Sequence, residues 1–133
     1  MIIKARHIPF FVRFFSYYSR TGLKRHFNDV VFECTINPTG RPVLLIGNHF
    51  SWWDGFIAYR LNDLFLHKKF HIMMLEEQLE KRLFLNKAGA YSIRRGSRSV
   101  VETLSYTSGL LHEPENMVVV YPQGTITSIH RRP

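Results

Sequence analysis

The sequence predicts an α/β domain: a largely parallel sheet flanked by helices. Three observations carry that expectation. Short apolar runs at 43–46, 70–75 and 117–121, rich in Val, Ile, Leu and Met, read as buried strands. Helically spaced segments alternate with them, as in successive βαβ units. The polar residues suited to chemistry gather just past the carboxyl ends of those runs, where open α/β sheets bind ligands.

Taken in order, residues 6–27 read as a helix, because Ile8, Phe11, Phe15 and Tyr18 stack on one face. Arg6, Arg13 and Arg20 form a separate stripe, followed by Lys24 and Arg25, and residues 1–28 include no acidic side chain. A helix with an aromatic face and only positive charge has the composition of a segment lying in a membrane interface. It also has that of a first helix packed on a core with solvated arginines, and one helix can do both. Residues 30–36 alternate like a strand, stopped by the turn cluster Asn37-Pro38-Thr39-Gly40. Strand 43–46 follows, then Gly47–Asp54, then a helix to about residue 63. After strand 70–75 comes a charged helix over 76–86, with Glu77 and Lys81 one turn apart. Gly89 closes it, 91–93 is a short strand, and 97–112 is a helix with Val100, Val101, Leu104, Thr107 and Leu111 inward. Strand 117–121 is the last, and the alternation predicts a sheet covered on both faces.

Composition sets the class. With 133 residues, 45% of them apolar and 21% charged, the chain is about one domain and can bury a core. Its single cysteine, Cys34, excludes an internal disulfide framework. No apolar run approaches a membrane-spanning length. Lys+Arg is 18 against Asp+Glu 10, a formal charge of +8, so anions are the expected partners: nucleic acid, anionic lipid head groups or phosphorylated small molecules.

Three strand ends deliver the candidate site. Strand 43–46 runs into Asn48, His49 and Asp54; strand 91–93 into Arg94 and Arg95; strand 117–121 into Pro122, Gln123, Gly124 and Thr125. A histidine with a carboxylate on one ring nitrogen is a general base, because the carboxylate fixes the tautomer and stabilises the imidazolium. The spacing from His49 to Asp54 suits a histidine closing a strand and an acid in the first turn of the next helix. Ser51-x-x-Asp54 equally fits a helix capping box, and a cap can hold the carboxylate near His49. Arg95, beside a helix starting near Ser97 with free amides, suits a phosphate or stands in a solvated basic turn. Gly124-Thr125 offers backbone amides to an anion or forms an ordinary turn.

These residues carry a resemblance. Asn48-His49-x4-Asp54 resembles NHx4D, the first signature block of the glycerolipid (1-acylglycerol-3-phosphate type, PlsC-like) acyltransferase family. Residues 89–95 are similar to its second block, GxxFIxR, with Ser92 where Phe is usual, and Tyr121-Pro-Gln-Gly-Thr125 is similar to its third, FPEGT. The resemblance spans about residues 43–127. It implies His49 as base, Asp54 as its orienting partner, Arg95 as a phosphate contact, and Gln123, Gly124 and Thr125 in the acceptor site. It implies an acyl-CoA or acyl-carrier-protein co-substrate, no bound cofactor or metal, and a lysolipid acceptor. The protein would be peripheral or monotopic, on an anionic membrane surface at the cytoplasmic face. Residues 1–28 are then a membrane-interface helix and 29–133 an acyltransferase-like domain, expected to be incomplete at its C-terminus because nothing resembles the family's fourth block. Gln123 replaces the family's glutamate and Ile126 its usual arginine, which points to an acceptor other than plain lysophosphatidate.

Other features fit plainer roles. His67-x3-His71 has the spacing of a helical metal pair, but 70–75 reads as strand and no third ligand is near. Met73 and Met74 read as core, Trp52 and Trp53 as core or lipid-facing, and Cys34 as buried and inert. Two rival functions remain: a non-catalytic, membrane-associating remnant of the same fold, and a basic nucleic-acid-binding domain. The latter has the right charge and aromatics but shows no binding motif, so no nucleic-acid partner is expected.

Overall fold

The structure is a computed structural model that describes residues 2–27, 31–48 and 53–121. Its centre is a four-stranded sheet of β1 (Val43–Ile46), β2 (Lys69–Leu75), β3 (Ala90–Ile93) and β4 (Asn116–Val120) in the order β1-β4-β2-β3. Every pairing is parallel. The helices are α1 (Pro9–His26), α2 (Asp54–Leu61), α3 (Glu76–Lys81) and α4 (Ser99–Leu110).

Register divides the sheet into two faces. Leu45, Val119, Ile72 and Ala90 stand side by side across the four strands. On that face Val43, Leu45, Phe70, Ile72, Met117 and Val119 meet Phe15 of α1 and Phe56 and Tyr59 of α2 in the main core. The predicted inner stripe of α1 is present: Phe15 is buried, and Phe11 and Tyr18 pack against the core. Pro9 opens this helix, where its fixed φ and missing N–H cost nothing, and Lys24, Arg25 and His26 complement the dipole of its last turn.

α4 covers the opposite face over β3 and β4. Tyr91 on that face shares a 2.8 Å hydrogen bond with Thr107, and Thr103 donates to the Ser92 carbonyl at 2.9 Å. These bonds set the rotation of α4. Thr103 and Thr107 point inward, while Val101 and Leu104, expected inside, are 73% and 54% exposed. Two-sided cover also fails at β1, where Leu44 and Ile46 are exposed on the α4 face.

Other departures have local causes. Residues 31–36 form no strand: Phe32 and Cys34 are partly buried, and Cys34 packs on the core, but among the described residues no ladder partner runs alongside. Val30 lies outside the described residues. The Asn37–Gly40 turn forms as expected, with Asn37 Oδ1 accepting the Thr39 N–H and Gly40 at φ +73°. The predicted helix over 76–86 breaks at Arg82, whose φ of −138° ends α3. A 3₁₀ turn, Leu83–Lys87, follows, which lets Phe84 stack on Phe15 and Leu85 reach the core. α2 continues as a π-helical turn, Asn62–Leu66, ended by His67 at φ +53°. Exposed His67 is thus a helix terminator and His71 a buried strand residue, so they are no helical metal pair.

An N-terminal arm closes the β3 edge. The Ser92 N–H donates to the Ile3 carbonyl, and Arg6 and Ile8 donate to Asn86 and Lys87. His7 seals the corner: its Nε2–H donates to the Phe70 carbonyl at 2.7 Å, and its ring meets that of His71 edge-on at 4.7 Å. Gly89 completes this corner at φ +109°, since a Cβ there would run into the Phe70 carbonyl oxygen.

Candidate active site

The candidate residues were read from three strand ends, and all three ends lie at one rim because every strand is parallel. β1 ends at Ile46, and the Gly47 N–H still donates to Val120 of β4. His49 lies outside the described residues, as do Trp52, Gln123, Gly124, Thr125 and Ile126. Tyr121, the residue after β4, donates its phenol to the Asp54 main-chain oxygen at 2.8 Å. The same ring lies close under Gly47, where an added Cβ would come within 3.3 Å of it. Gly47 and Asp54 therefore both lie against this one side chain.

Asp54 is the first residue of α2, and Trp53 is its N-cap, with no side-chain capping bond. The helix thus starts two residues later than a Ser51 capping box requires; Ser51 itself lies outside the described residues. Negative charge in a first turn is favoured by the helix dipole. The Asp54 charge is also felt by Tyr121, whose phenol is pushed upward first by burial and then by that carboxylate. Trp53 stacks on Tyr18 and sits beside His26 and Phe56, so of the two readings for this tryptophan the structure selects contact with the core.

Arg95 comes two residues after β3, is exposed, and lines the cavity described below. Arg94, grouped with it in the sequence, is engaged elsewhere: Nε and one terminal nitrogen bind the two Glu76 oxygens at 2.9 Å each. α4 starts at Ser99 rather than near Ser97. Its first amides are not free. Ser97 Oγ accepts the Ser99 N–H, the Ser97 carbonyl accepts Val100, and the Arg98 carbonyl accepts Val101. Arg95, by contrast, stands exposed and lines the cavity.

A cavity of about 370 Å³ is lined by residues of α1, α2 and the sheet, and reaches Gln78 of α3 and Leu104 of α4. Phe15, Phe56, Tyr59, Phe70, Ile72 and Leu85 line it, as do Gly55, Arg95 and Tyr121. Gln78 is the other polar side chain, the two tyrosines aside, among the described residues around it. The volume matches about twelve liquid waters, ample for a medium-length alkyl chain. The sequence reading missed this cavity and Tyr121's part in it. Aromatics at core spacing look alike whether they fill space or border it. Among the described residues, no group of three or more His, Cys, Asp or Glu is placed to hold a metal ion.

The acyltransferase family model matches residues 29–131, most of the chain. The chain belongs to the acyltransferase family. No curated protein and no solved structure matches it. This acyltransferase carries α1 outside the matched residues, yet Phe15 of α1 forms part of the cavity wall. The rim of this acyltransferase sets a largely apolar cavity beside Arg95 and the start of α2 at Asp54.

Proposed function

We propose that the protein transfers an acyl chain from an acyl-CoA or acyl-carrier-protein thioester to the hydroxyl of a lysolipid, with His49 as general base oriented by Asp54. The observation that carries this reading is the largely apolar cavity that opens at the rim bearing Asp54 and Arg95. The alkyl chain lies in the cavity, against Phe56, Phe70 and Ile72. Arg95 holds a phosphate at the mouth as a charge-assisted contact. His49 takes the proton of the acceptor hydroxyl, and the resulting alkoxide attacks the thioester carbonyl. The tetrahedral oxyanion is held by backbone amides near Gly124. When it collapses, the carbon–sulfur bond breaks, and the leaving thiolate receives the proton from the His49 imidazolium. No covalent enzyme intermediate is needed.

Gln123 and Ile126 define the acceptor. A neutral amide keeps hydrogen bonds but not ionic pairing, and isoleucine supplies no cation. We assign the acceptor as a lysolipid other than lysophosphatidate. The test presents the purified chain with acyl thioesters of graded length and a panel of lysolipids, reading thiol release and lipid product together. The expected result is acylation of a lysolipid other than lysophosphatidate, with the apparent KM raised about tenfold or more by Arg95→Ala. Preference for lysophosphatidate would overturn the acceptor assignment. Absence of transfer to any lysolipid would overturn the reading in favour of a non-catalytic fold, and salt-sensitive retention on nucleic acid would favour the basic-domain rival.

A further inference from the structure

A second cavity, of about 330 Å³, opens beside the start of β2, at the opposite end of the sheet from the rim of Asp54 and Arg95. Arg13 of α1, Asp63, Lys68 and Lys69 are its charged side chains, and His7 stands among them. Three cations therefore meet one acid in a concave site. The lysines are held by the fold. Buried Asn62 clamps the Lys68 main chain: its Oδ1 accepts the N–H and its Nδ2 donates to the carbonyl, each at 2.7 Å. The Lys68 ammonium donates to the Pro114 carbonyl at 2.7 Å, which uses one of its three protons. Lys69 and Arg13 are exposed and form no ion pair among the described residues. Burial first, and the Lys69 charge after it, hold His7 below its ordinary pKa against the opposing pull of the Phe70 carbonyl, so the positive field reaches the cavity wall. Pro9, also in the lining, opens α1 with no capping side chain and no acid in the first turn, and the helix dipole adds to that field.

We propose that this cavity binds a small phosphate-bearing anion, held between the Lys69 ammonium and the Arg13 guanidinium at a site separate from Arg95. Charge selects the ligand class. An ammonium and a guanidinium together recognise phosphate oxygens through charge-assisted hydrogen bonds, the guanidinium with two parallel donors. Asp63 opposes the ligand, and the three cations outweigh it. Size narrows the class further: the volume is about that of eleven liquid waters, which suits a phosphomonoester and the first few carbons attached to it. Tyr59, Phe70 and Ala88 line both this cavity and the apolar one, so the two are back to back across a shared wall. The same head chemistry can therefore come from a free phosphomonoester or from a lipid phosphate whose chain lies along that wall. The site goes beyond the acyl-transfer reading without resting on it, because binding is read without turnover.

The test is calorimetric titration of the full chain with glycerol phosphate and, separately, with water-soluble dihexanoyl phosphatidate, at low salt. Arg95→Ala is the background protein, so that this site is read alone. Saturable binding is expected, with the His7 imidazole pKa, followed by NMR, rising by about half a pH unit or more as the anion fills the cavity. Adding Arg13→Gln and Lys69→Gln is expected to weaken binding at least tenfold. Asp63→Asn is expected to strengthen it by about threefold, because the opposing charge is gone. Arg41→Gln with Arg98→Gln removes the same charge from exposed positions outside the cavity lining and is expected to leave the affinity within about twofold. Circular dichroism checks each fold. Tighter binding of the phosphatidate assigns the lipid source and equal affinities assign the free phosphomonoester; either result supports the site. Absence of saturable binding would overturn the proposal, as would a folded Arg13→Gln/Lys69→Gln protein that binds undiminished. Weaker binding by Asp63→Asn, or equal loss in the Arg41→Gln/Arg98→Gln protein, would do the same.

Discussion

Replacing His49 with alanine is expected to lower acyl transfer by roughly 10²- to 10⁴-fold, the usual contribution of a positioned general base. The loss should appear in kcat more than in KM, because proton removal matters in the transition state and the cavity still holds the chain. Asp54→Asn should fall between the variant and wild type: the imidazole remains, but its tautomer and its positive form lose support. His67→Asn is the control. His67 is an exposed helix terminator at φ +53°, a conformation asparagine tolerates, so the variant should fold and turn over normally. Equal activity in His49→Ala and wild-type protein would remove the base from the account.

Acidification from pH 7 to about pH 5 is expected to cost about 2 kcal/mol of folding stability through His71. Burial, the neighbouring His7 and nearby Lys69 lower its pKa to about 4, with carbonyl hydrogen bonds from Lys69 and Met117 partly opposing them. The sign follows from which state takes the proton first. The unfolded histidine protonates near its ordinary 6.5 while the folded one stays neutral, so the unfolded state gains as pH falls. The stability is complete above about pH 6.5 and drains away down to about pH 4. His7 is shifted in the same direction, mainly by burial, and adds to the slope. Urea unfolding across this range measures the effect, and His71→Gln, neutral throughout, should flatten the slope. An unchanged urea midpoint between pH 7 and about pH 5 in wild-type protein would contradict it. The consequence is structural, because this histidine pair sits where the N-terminal arm meets the sheet.

Much of the fold was legible in the sequence. Strands of a parallel sheet write themselves as short, largely apolar runs even where, as at β1, one face stays exposed, so β1, β2, β3 and β4 were found to within a residue or so. The inner stripe of α1 was legible for a similar reason, since helical spacing records the face that packs. Residues 31–36 misled because alternation describes burial on one side and says nothing about a ladder partner. Val101 and Leu104 misled because apolarity was taken as the guide to the rotation of α4. Two threonines bonded to the β3 region set it instead: Thr107, which was read as inward, and Thr103, which was not.

The candidate site was legible where it depended on strand ends. Parallel topology gathers those ends at one rim, where Asp54 opens α2 and Arg95 lines the cavity. It was illegible where it depended on distant pairs. Tyr121 reaches Asp54 across 67 residues of chain, and Arg94 is held by Glu76, so two adjacent arginines that look alike in sequence have different surroundings.

The account turns on an interaction between His49 and Asp54, and the most direct measurement is the His49 imidazole pKa followed by NMR in wild-type protein and in Asp54→Asn. An ion pair at contact distance supports the protonated ring, so the account predicts that the wild-type value falls by about one pH unit or more when the carboxylate is neutralised. A His49 titration that is the same in both proteins would show that the ring and the acid do not meet.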